Sequence, residues 1–270
     1  MKFLQLITLG FTSLFFAQST RFVYQVNMKI DSTQPNETKT ELAHLDISPK
    51  GSTFYSAKNM QRDSIFARMR QTRSFNFDRS QMENLRSQIN YVIEKSYPKQ
   101  EITYKNRIGR DQYAYTEEVK DLVWKILPDT AKIGEYNTQK AETNYGGRTW
   151  NAWFTTEIPF QDGPYKFSGL PGLIVKIEDN KGDYSFDLMQ TKKIEKPYEI
   201  ETRGQTIAMK KADYKKIEEK FKKDPISFMQ ASNNGMRFGR PNTPTPQRNR
   251  EMENRMREEI KKENNPIELK

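Results

Sequence analysis

The sequence contains no cysteine and only one histidine among its 270 residues. Without cysteine the chain has no disulfide bond, no thiol nucleophile, no cysteine-ligated metal and no cysteine to carry a lipid. With His44 alone it cannot build a cage of several histidines or the HExxH pattern of zinc proteases. No serine-hydrolase elbow, Walker loop or dinucleotide-binding pattern is present. We therefore assign no catalytic residue, predict no metal and no cofactor, and expect His44 to be a surface or rim side chain on a strand.

Long apolar runs are absent except at the N-terminus, where residues 3–16 follow Lys2 and precede Ala17 and Ser19. A run this short is typical of a secretory signal peptide, because a membrane-spanning helix needs about 20 apolar residues. We predict a signal peptide over residues 1–19: cleavage after Ser19 places the small residues Ala17 and Ser19 at positions −3 and −1, whereas the alternative, cleavage after Ala17, leaves Phe15 at −3. The mature chain is then expected to be exported to the periplasm or the cell surface, with no transmembrane span.

The charge balance is basic, with 45 Lys and Arg against 35 Asp and Glu and a formal net charge of +10. None of the helix-turn-helix, zinc-finger or RNP patterns of nucleic-acid binding accompanies this charge. An exported basic protein meets anionic envelope surfaces more readily than nucleic acid. We therefore predict no nucleic-acid partner.

Short alternating patterns of apolar and polar residues dominate the chain between residues 20 and 200. Such patterns, with turn signals roughly every ten residues, predict antiparallel β structure rather than βαβ units. The period becomes helical over residues 58–90, which predicts two short helices. The alternation of Leu122, Trp124 and Ile126 predicts a strand that ends at Pro128.

The predicted fold class is mainly β: a curved antiparallel sheet or half-open barrel with two short inserted helices and a charged helical C-terminal tail. The expected organisation is a signal peptide over 1–19, a β domain over 20–200 with the helical insertion at 58–90, and a tail over 201–270. This tail is predicted to be charged, and helical or disordered, because residues 233–249 are rich in Gly, Pro, Asn, Gln and Arg.

The sequence Gly-Leu-Pro-Gly-Leu-Ile at residues 169–174 is the most informative motif of the chain. Pro171 and Gly172 predict a type II turn, because proline presets φ at about −65° and glycine accepts the positive φ that follows. Alternation from Leu173 onward predicts a strand, and residues 179–182 predict a hairpin loop. The alternative is that Gly169 and Gly172 mark a place where a ligand or partner approaches bare backbone.

Arg148, Trp150 and Trp153 lie on one predicted strand, and arginine and tryptophan are enriched in binding hot spots. Alternation places the two indoles on opposite faces, so packing against both sides of the sheet is the alternative to a recognition surface. The candidate binding residues come from this strand and from the motif that follows it. They are Arg148, Trp150, Trp153, Phe167, Gly169, Pro171 and Gly172.

The same region carries a longer ordered set of short motifs. They are Lys140-Ala141, Gly147-Arg148, Ala152-Trp153-Phe154-Thr155, Ile158-Pro159, Gly163-Pro164 and the motif at 169–174, with a further Asn-Pro-Ile-Glu-Leu at 265–269. In this order they resemble the GLPGLI family, also called Porph_ging. Many members have a cysteine shortly after Lys-Ala, where this chain has Glu142-Thr143-Asn144, so no thiol-dependent role is carried over.

The resemblance implies an exported protein of the Bacteroidota cell envelope, without an assigned activity and without a catalytic residue to carry over. Some members are thought to accompany TonB-dependent transport systems, so the implied partner is an outer-membrane transporter or another envelope protein. The first hypothesis is a non-enzymatic protein that binds an apolar or peptide ligand, or is accessory to such a transporter. The alternative is a hydrolase that acts on envelope polymers through acidic residues such as Glu157, Asp162 or Asp179.

Overall fold

A computed structural model describes residues 19–73, 79–109, 111–118, 122–199, 205–231 and 246–270. Twelve strands lie within these ranges. They are β1 (Ser19–Met28), β2 (Lys39–Ser48), β3 (Gly51–Ser56), β4 (Tyr91–Ser96), β5 (Glu101–Ile108), β6 (Asp111–Glu118), β7 (Lys125–Ile133), β8 (Tyr136–Tyr145), β9 (Arg148–Thr155), β10 (Leu173–Asp179), β11 (Tyr184–Ile194) and β12 (Thr206–Ala208).

The strands form one open sheet in the order β12-β6-β5-β4-β3-β2-β1-β11-β10-β9-β8-β7. β1 to β6 and β7 to β11 are two antiparallel meanders, and the pairing of β1 with β11 joins them at the centre. β12 extends one edge by pairing parallel to β6. The predicted mainly β fold class is confirmed.

One face of the sheet carries the main hydrophobic core, as the alternation of the sequence requires. In β1 the side chains of Phe22, Tyr24, Val26 and Met28 are all buried in this core, whereas Arg21 points to the opposite face. The neighbouring strands add aliphatic and aromatic side chains at every second position. The sheet therefore has a covered face, which we call the core face, and an opposite face that is partly polar.

The core face is covered by the chain between β9 and β10, residues 156–172, which we call the connector. Tyr165, Phe167 and Leu170 of the connector are at most 1% exposed and belong to the same core cluster as the strands. Phe167 packs on Trp150, with ring centroids 4.8 Å apart, and the Phe167 carbonyl accepts a hydrogen bond from Lys95. The first four residues of the motif at 169–174 thus end a segment that crosses the sheet, and its last two residues begin β10.

Five helices lie within the described ranges: α1 (Ala57–Thr72), α2 (Arg79–Asn84), α3 (Lys211–Lys223), α4 (Pro225–Ala231) and α5 (Pro246–Lys262). The Ser56 hydroxyl caps α1 by accepting a hydrogen bond from the amide of Asn59. α1 contacts β2 and β3, and α3 contacts β6 through the buried Tyr214. Among the residues described, no helix combines the length and the apolar character that crossing a membrane requires.

One expected strand has the wrong bounds, and one observed strand was not expected. The strand expected to end at Pro128 instead begins at Lys125 and runs through this proline to Ile133. It is an edge strand, and Pro128 falls within the register shift between Ile126 and Thr130, so its missing N–H interrupts no residue pair with β8. β8 was not predicted, because its sequence YNTQKAETNY is polar, and pairing between β7 and β9 specifies it instead.

His44 is not a surface residue. It lies on β2 beside Arg21 and Tyr55, is 9% exposed, and packs edge-on against the Tyr55 ring. Burial, with a smaller contribution from the positive charge of Arg21, lowers the pKa of His44 to about 4. The alternation of β2 points His44 away from the core face, but α1 and the residues around Tyr198 add a second layer there.

Candidate functional site

The connector is anchored to the sheet by a buried ion pair. The ammonium of Lys95, on β4, lies 2.5 Å from a carboxylate oxygen of Asp162 and donates to the carbonyls of Gly163 and Phe167 at 2.7 and 2.8 Å. Tyr97 donates to the other carboxylate oxygen of Asp162 at 2.7 Å. Burial lowers the pKa of Lys95, and the negative charge of Asp162 opposes this effect. These bonds fix the position of the connector above β4.

A pocket of about 520 Å³ opens beside this ion pair. Leu122, Pro159 and Phe160 form its apolar side, and Tyr97, Gln100 and Gln161 contribute polar groups. The indole N–H of Trp124 donates to the Ser168 carbonyl at 2.8 Å and so fixes the wall of the pocket at that residue. We call this the connector pocket, and its volume is that of a typical small-molecule site.

Gly169 and Gly172 have different structural roles. Gly169 lines the connector pocket at φ +90°, and no described atom lies within 4 Å of the position that a Cβ would take. Gly172 has φ +150°, and a Cβ there would lie 2.0 Å from the carbonyl oxygen of Thr155. The backbone that approaches Gly172 therefore belongs to the end of β9.

The predicted type II turn is wrong. The amide of Gly172 donates to the carbonyl of Leu170 at 2.8 Å, which closes a three-residue turn around Pro171. A type II turn would join residues three apart and would place glycine at a φ of about +80°. The close packing of Gly172 against Thr155 selects the tighter turn.

Arg148 lies at the start of β9 and its side chain is 1% exposed. One guanidinium nitrogen donates to Asp179 at 2.8 Å and to Asp183 at 2.9 Å, both around the hairpin loop that follows β10. The rest of the guanidinium donates to Asn265 Oδ1 and to the carbonyls of residues 266 and 267. Arg148 therefore binds residues 265–269 of the chain, which we call the NPIEL segment.

Lys166 of the connector is the second cation that contacts the NPIEL segment. Its ammonium lies 2.6 Å from the carboxylate of Glu268 and 2.5 Å from that of Glu117. The same ammonium is within 5.1 to 6.0 Å of the ring centroids of Tyr104, Tyr115, Tyr145 and Tyr165. Such rings attract a cation through their electron-rich faces, so charge and aromatic contacts together stabilise the buried ammonium.

Glu268 is held by hydrogen bonds from four side chains. Lys166 and Tyr165 donate to one carboxylate oxygen at 2.6 Å each, Tyr145 donates to the same oxygen at 3.2 Å, and Lys211 of α3 donates to the other at 2.9 Å. Burial would raise the pKa of Glu268, but the two lysines and Tyr165 outweigh it and lower the pKa to about 2. Glu268 is therefore ionised at neutral pH.

The seven predicted binding residues do not meet at one surface. Trp150 and Phe167 are fully buried in the core, and Arg148 contacts the NPIEL segment. Trp153 lies on the opposite face, half-buried, with the Lys140 ammonium 6.0 Å from its ring. The remaining three lie along the connector, with Gly169 at the pocket, Pro171 exposed and Gly172 against β9.

The three acidic residues considered for hydrolysis lie at separate places. Glu157 is exposed and accepts hydrogen bonds from Asn137, whereas Asp162 and Asp179 are buried in the ion pairs with Lys95 and Arg148. The Asp162 carbonyl accepts from the amide of Ile174 near the start of β10, whereas Asp179 is the last residue of that strand. Each carboxylate already has hydrogen-bond donors from the protein itself.

Sequence reasoning missed the residues around Lys166 and Lys95. The signal for Lys166 was a lysine between two aromatic residues, Tyr165 and Phe167. The signal for Glu268 was the motif at 265–269, which the family resemblance included without a role. Within the described ranges, no three His, Asp or Glu side chains converge in a way that could hold a metal ion.

The comparisons with known proteins bear on the family and the fold. The family model described as "Protein of unknown function (Porph_ging)" matches residues 142–176. The predicted family resemblance is confirmed. The matched residues include Arg148, the connector and the first strand residues after the motif at 169–174. No curated protein matches the chain.

Two solved structures of PNGF-II, from crystals in different space groups, are similar to this chain. They share 17% and 16% sequence identity with it, each with a TM-score of 0.51 over 74% of this chain. The chain spans about a third of the length of these structures, 33% and 32%. At this identity the likeness concerns the fold alone.

Proposed function

We propose that this protein is a non-enzymatic ligand-binding protein of the cell envelope that holds an apolar molecule, or an apolar part of a peptide, in the connector pocket. The observation that carries this proposal is the pocket of about 520 Å³ between the connector and the β4 side of the sheet. Its volume lies within the usual range of small-molecule sites. The open space above Gly169 gives a ligand access to bare backbone.

The chemistry of the pocket wall favours an apolar ligand with one or two polar groups. Leu122, Pro159 and Phe160 provide an apolar surface, and Phe160 is itself supported by an edge-on contact with Phe22, at 5.9 Å between centroids. The polar groups of Gln100 and Gln161 stand at the rim, where they can orient a ligand without covering the apolar surface. The Lys95–Asp162 ion pair makes the wall rigid, which reduces the entropy lost on binding.

Export and the partner class are part of the same proposal. The apolar stretch at residues 3–16 supports a signal peptide, and the family resemblance supports the cell envelope. We propose an outer-membrane transporter or another envelope protein as the partner to which ligand is passed. Fractionation of the source cells, followed by crosslinking and identification of the captured protein, tests this part.

Fluorescence of the apolar probe N-phenyl-1-naphthylamine tests the pocket directly. Trp124 lies at the pocket wall, so energy transfer from its indole to the probe should report binding at this place. We expect saturable binding at micromolar probe concentration. Replacing the exposed Gln161 with tryptophan fills the mouth of the pocket and should weaken binding at least tenfold.

The matched control is Gln190→Trp, which adds the same side chain at an exposed position of β11 outside the pocket. This variant should bind the probe like the unchanged protein. Equal binding by both tryptophan variants, or no saturable binding at all, would overturn the proposal. Mass spectrometry of molecules extracted from protein purified gently from its own cells then identifies the natural ligand.

A further inference from the structure

The main chain of the NPIEL segment is hydrogen-bonded along its length to the strand ends and loops of the sheet. The amide of Asn265 donates to the carbonyl of Ile30 at 3.0 Å, and the amide of Leu269 donates to the carbonyl of Gly146 at 2.6 Å. The carbonyl of Asn265 accepts from the Tyr184 hydroxyl at 2.6 Å, and Arg148 donates to the next two carbonyls. Extended peptides are recognised through main-chain bonds of this kind.

Two side chains of the NPIEL segment, those of Asn265 and Glu268, form specific hydrogen bonds with the rest of the protein. The amide group of Asn265 donates to the carbonyl of Lys29 at 2.7 Å and accepts from Arg148 at 2.5 Å. The carboxylate of Glu268 binds the cluster of Lys166, Lys211, Tyr145 and Tyr165 described above. An amide at one position and a carboxylate three residues later are therefore the features that the site can discriminate.

Arg148 and Lys166, the two buried cations that contact the NPIEL segment, also bind groups outside the segment. Asp179 and Asp183 orient Arg148, whereas Glu117 and the Tyr115 hydroxyl, at 3.1 Å, orient Lys166. These partners belong to the sheet and its loops, so both cations would stay in place if the segment left. A site built in advance in this way loses little entropy when a peptide binds.

The turn between β8 and β9 leaves room for the segment. A Cβ at Gly146 would lie 3.0 to 3.2 Å from atoms of Glu268, and a Cβ at Gly147 would lie 3.2 Å from Leu269 and Lys270. Both glycines have positive φ, +60° and +82°. The turn therefore presents bare backbone to a peptide that passes over it.

We propose that the groups around Arg148, Lys166 and the turn between β8 and β9 form a peptide-recognition site for extended segments of the form Asn-Pro-apolar-Glu. In this structure the site is filled by the NPIEL segment of the same chain. It also accepts such a peptide from another molecule. The site is distinct from the connector pocket. Its ligand class is a peptide with a carboxylate at the position of Glu268, because Lys166 and Lys211 share one acidic partner, Glu117, apart from the segment and so leave one positive charge for the ligand. The proposal does not depend on the function proposed for the pocket.

A synthetic peptide of residues 263–270, with acetylated and amidated ends and a fluorescent label, tests this site. The protein is the full chain with Asn265→Ala and Glu268→Gln, which weaken the internal segment and leave Arg148 and Lys166 unchanged. We expect this variant to bind the peptide at least tenfold more tightly than the unchanged chain does. A peptide with glutamine at the position of Glu268 should bind the variant at least tenfold more weakly than the original peptide.

A second measurement on the unchanged chain covers the case in which the variant does not fold. An unlabelled peptide at millimolar concentration should displace the internal segment and speed hydrogen exchange of the Asn265 and Leu269 amides. A scrambled peptide of the same composition should leave this exchange unchanged. Unchanged exchange with the original peptide, or binding by the folded variant that ignores the glutamine substitution in the peptide, would overturn the proposal.

Discussion

Replacing Glu268 with glutamine keeps the size of the side chain and removes its negative charge. In the native structure this carboxylate is 13% exposed and lies 2.6 Å from the Lys166 ammonium and 2.9 Å from that of Lys211. Its pKa falls from 4.5 to about 2, chiefly because the two lysines oppose burial. By linkage, this fall corresponds to about 3 kcal/mol of stability at neutral pH.

The sign of the effect follows from the direction of the pKa change. A carboxylate whose pKa is lowered by folding stabilises the native state fully above its unfolded pKa of 4.5, and this contribution is lost as the pH falls toward about 2. Glu268→Gln should therefore lower the free energy of unfolding by about 3 kcal/mol at pH 7. The difference between the two proteins should shrink below pH 4.5.

Urea denaturation followed by tryptophan fluorescence, at a series of pH values from 7 downward, measures this difference. The control is Glu258→Gln, at an exposed position of α5, which should change the free energy of unfolding by less than about 0.5 kcal/mol. The reasoning fails if Glu268→Gln is as stable as the control at pH 7. It also fails if the loss of stability is the same at pH 7 and pH 3, because the charge of Glu268 would then not be its cause.

Three further predictions concern other buried positions. Gly172→Ala should lower the melting temperature by roughly 5 to 10 °C in a thermal scan, because the new Cβ would lie 2.0 Å from the Thr155 carbonyl oxygen. An unchanged melting temperature would refute this close contact between residues 172 and 155. Arg148→Met should lower the free energy of unfolding, measured by urea denaturation, by about 3 to 5 kcal/mol, because Asp179 would keep a buried charge without its cationic partner. A decrease below about 1 kcal/mol would contradict this. Because folding lowers the pKa of His44 from 6.5 to about 4, stability should fall as the pH drops through this range, and His44→Phe should flatten that slope in the same assay. If the pH dependence of stability persists in His44→Phe, another titrating group causes it.

The strands that alternate clearly in sequence were predictable because burial on one face of a sheet imposes a period of two. Phe22, Tyr24, Val26 and Met28 of β1 follow this rule, and all four side chains lie in the core. β8 escaped prediction because its neighbours, rather than its own apolar residues, specify it. His44 was misplaced for a related reason: alternation gives the face on which a residue lies but not whether another layer covers that face.

The candidate sites were predictable only in part. Arg148 was selected from the sequence, but its partners at Asp179 and in the NPIEL segment lie 31 or more residues away along the chain. Lys166 and Glu268 are 102 residues apart, and Lys95 and Asp162 are 67 apart. No periodicity or turn rule connects residues at such separations, because their contact is a product of packing.

The sequence by itself determined the absence of cysteine and the single histidine, the mainly β class, the family resemblance and the strand that begins at Leu173 within the motif at 169–174. Each of these follows from composition or from patterns over a few residues, where local sterics and one-sided burial dominate. Only the tertiary structure decided that the Thr155 carbonyl leaves no room for a side chain at position 172, that the connector covers the core, and that Lys166 binds Glu268. Buried charges and close backbone contacts depend on which distant residues share a low-dielectric interior, and only the folded chain brings those residues together.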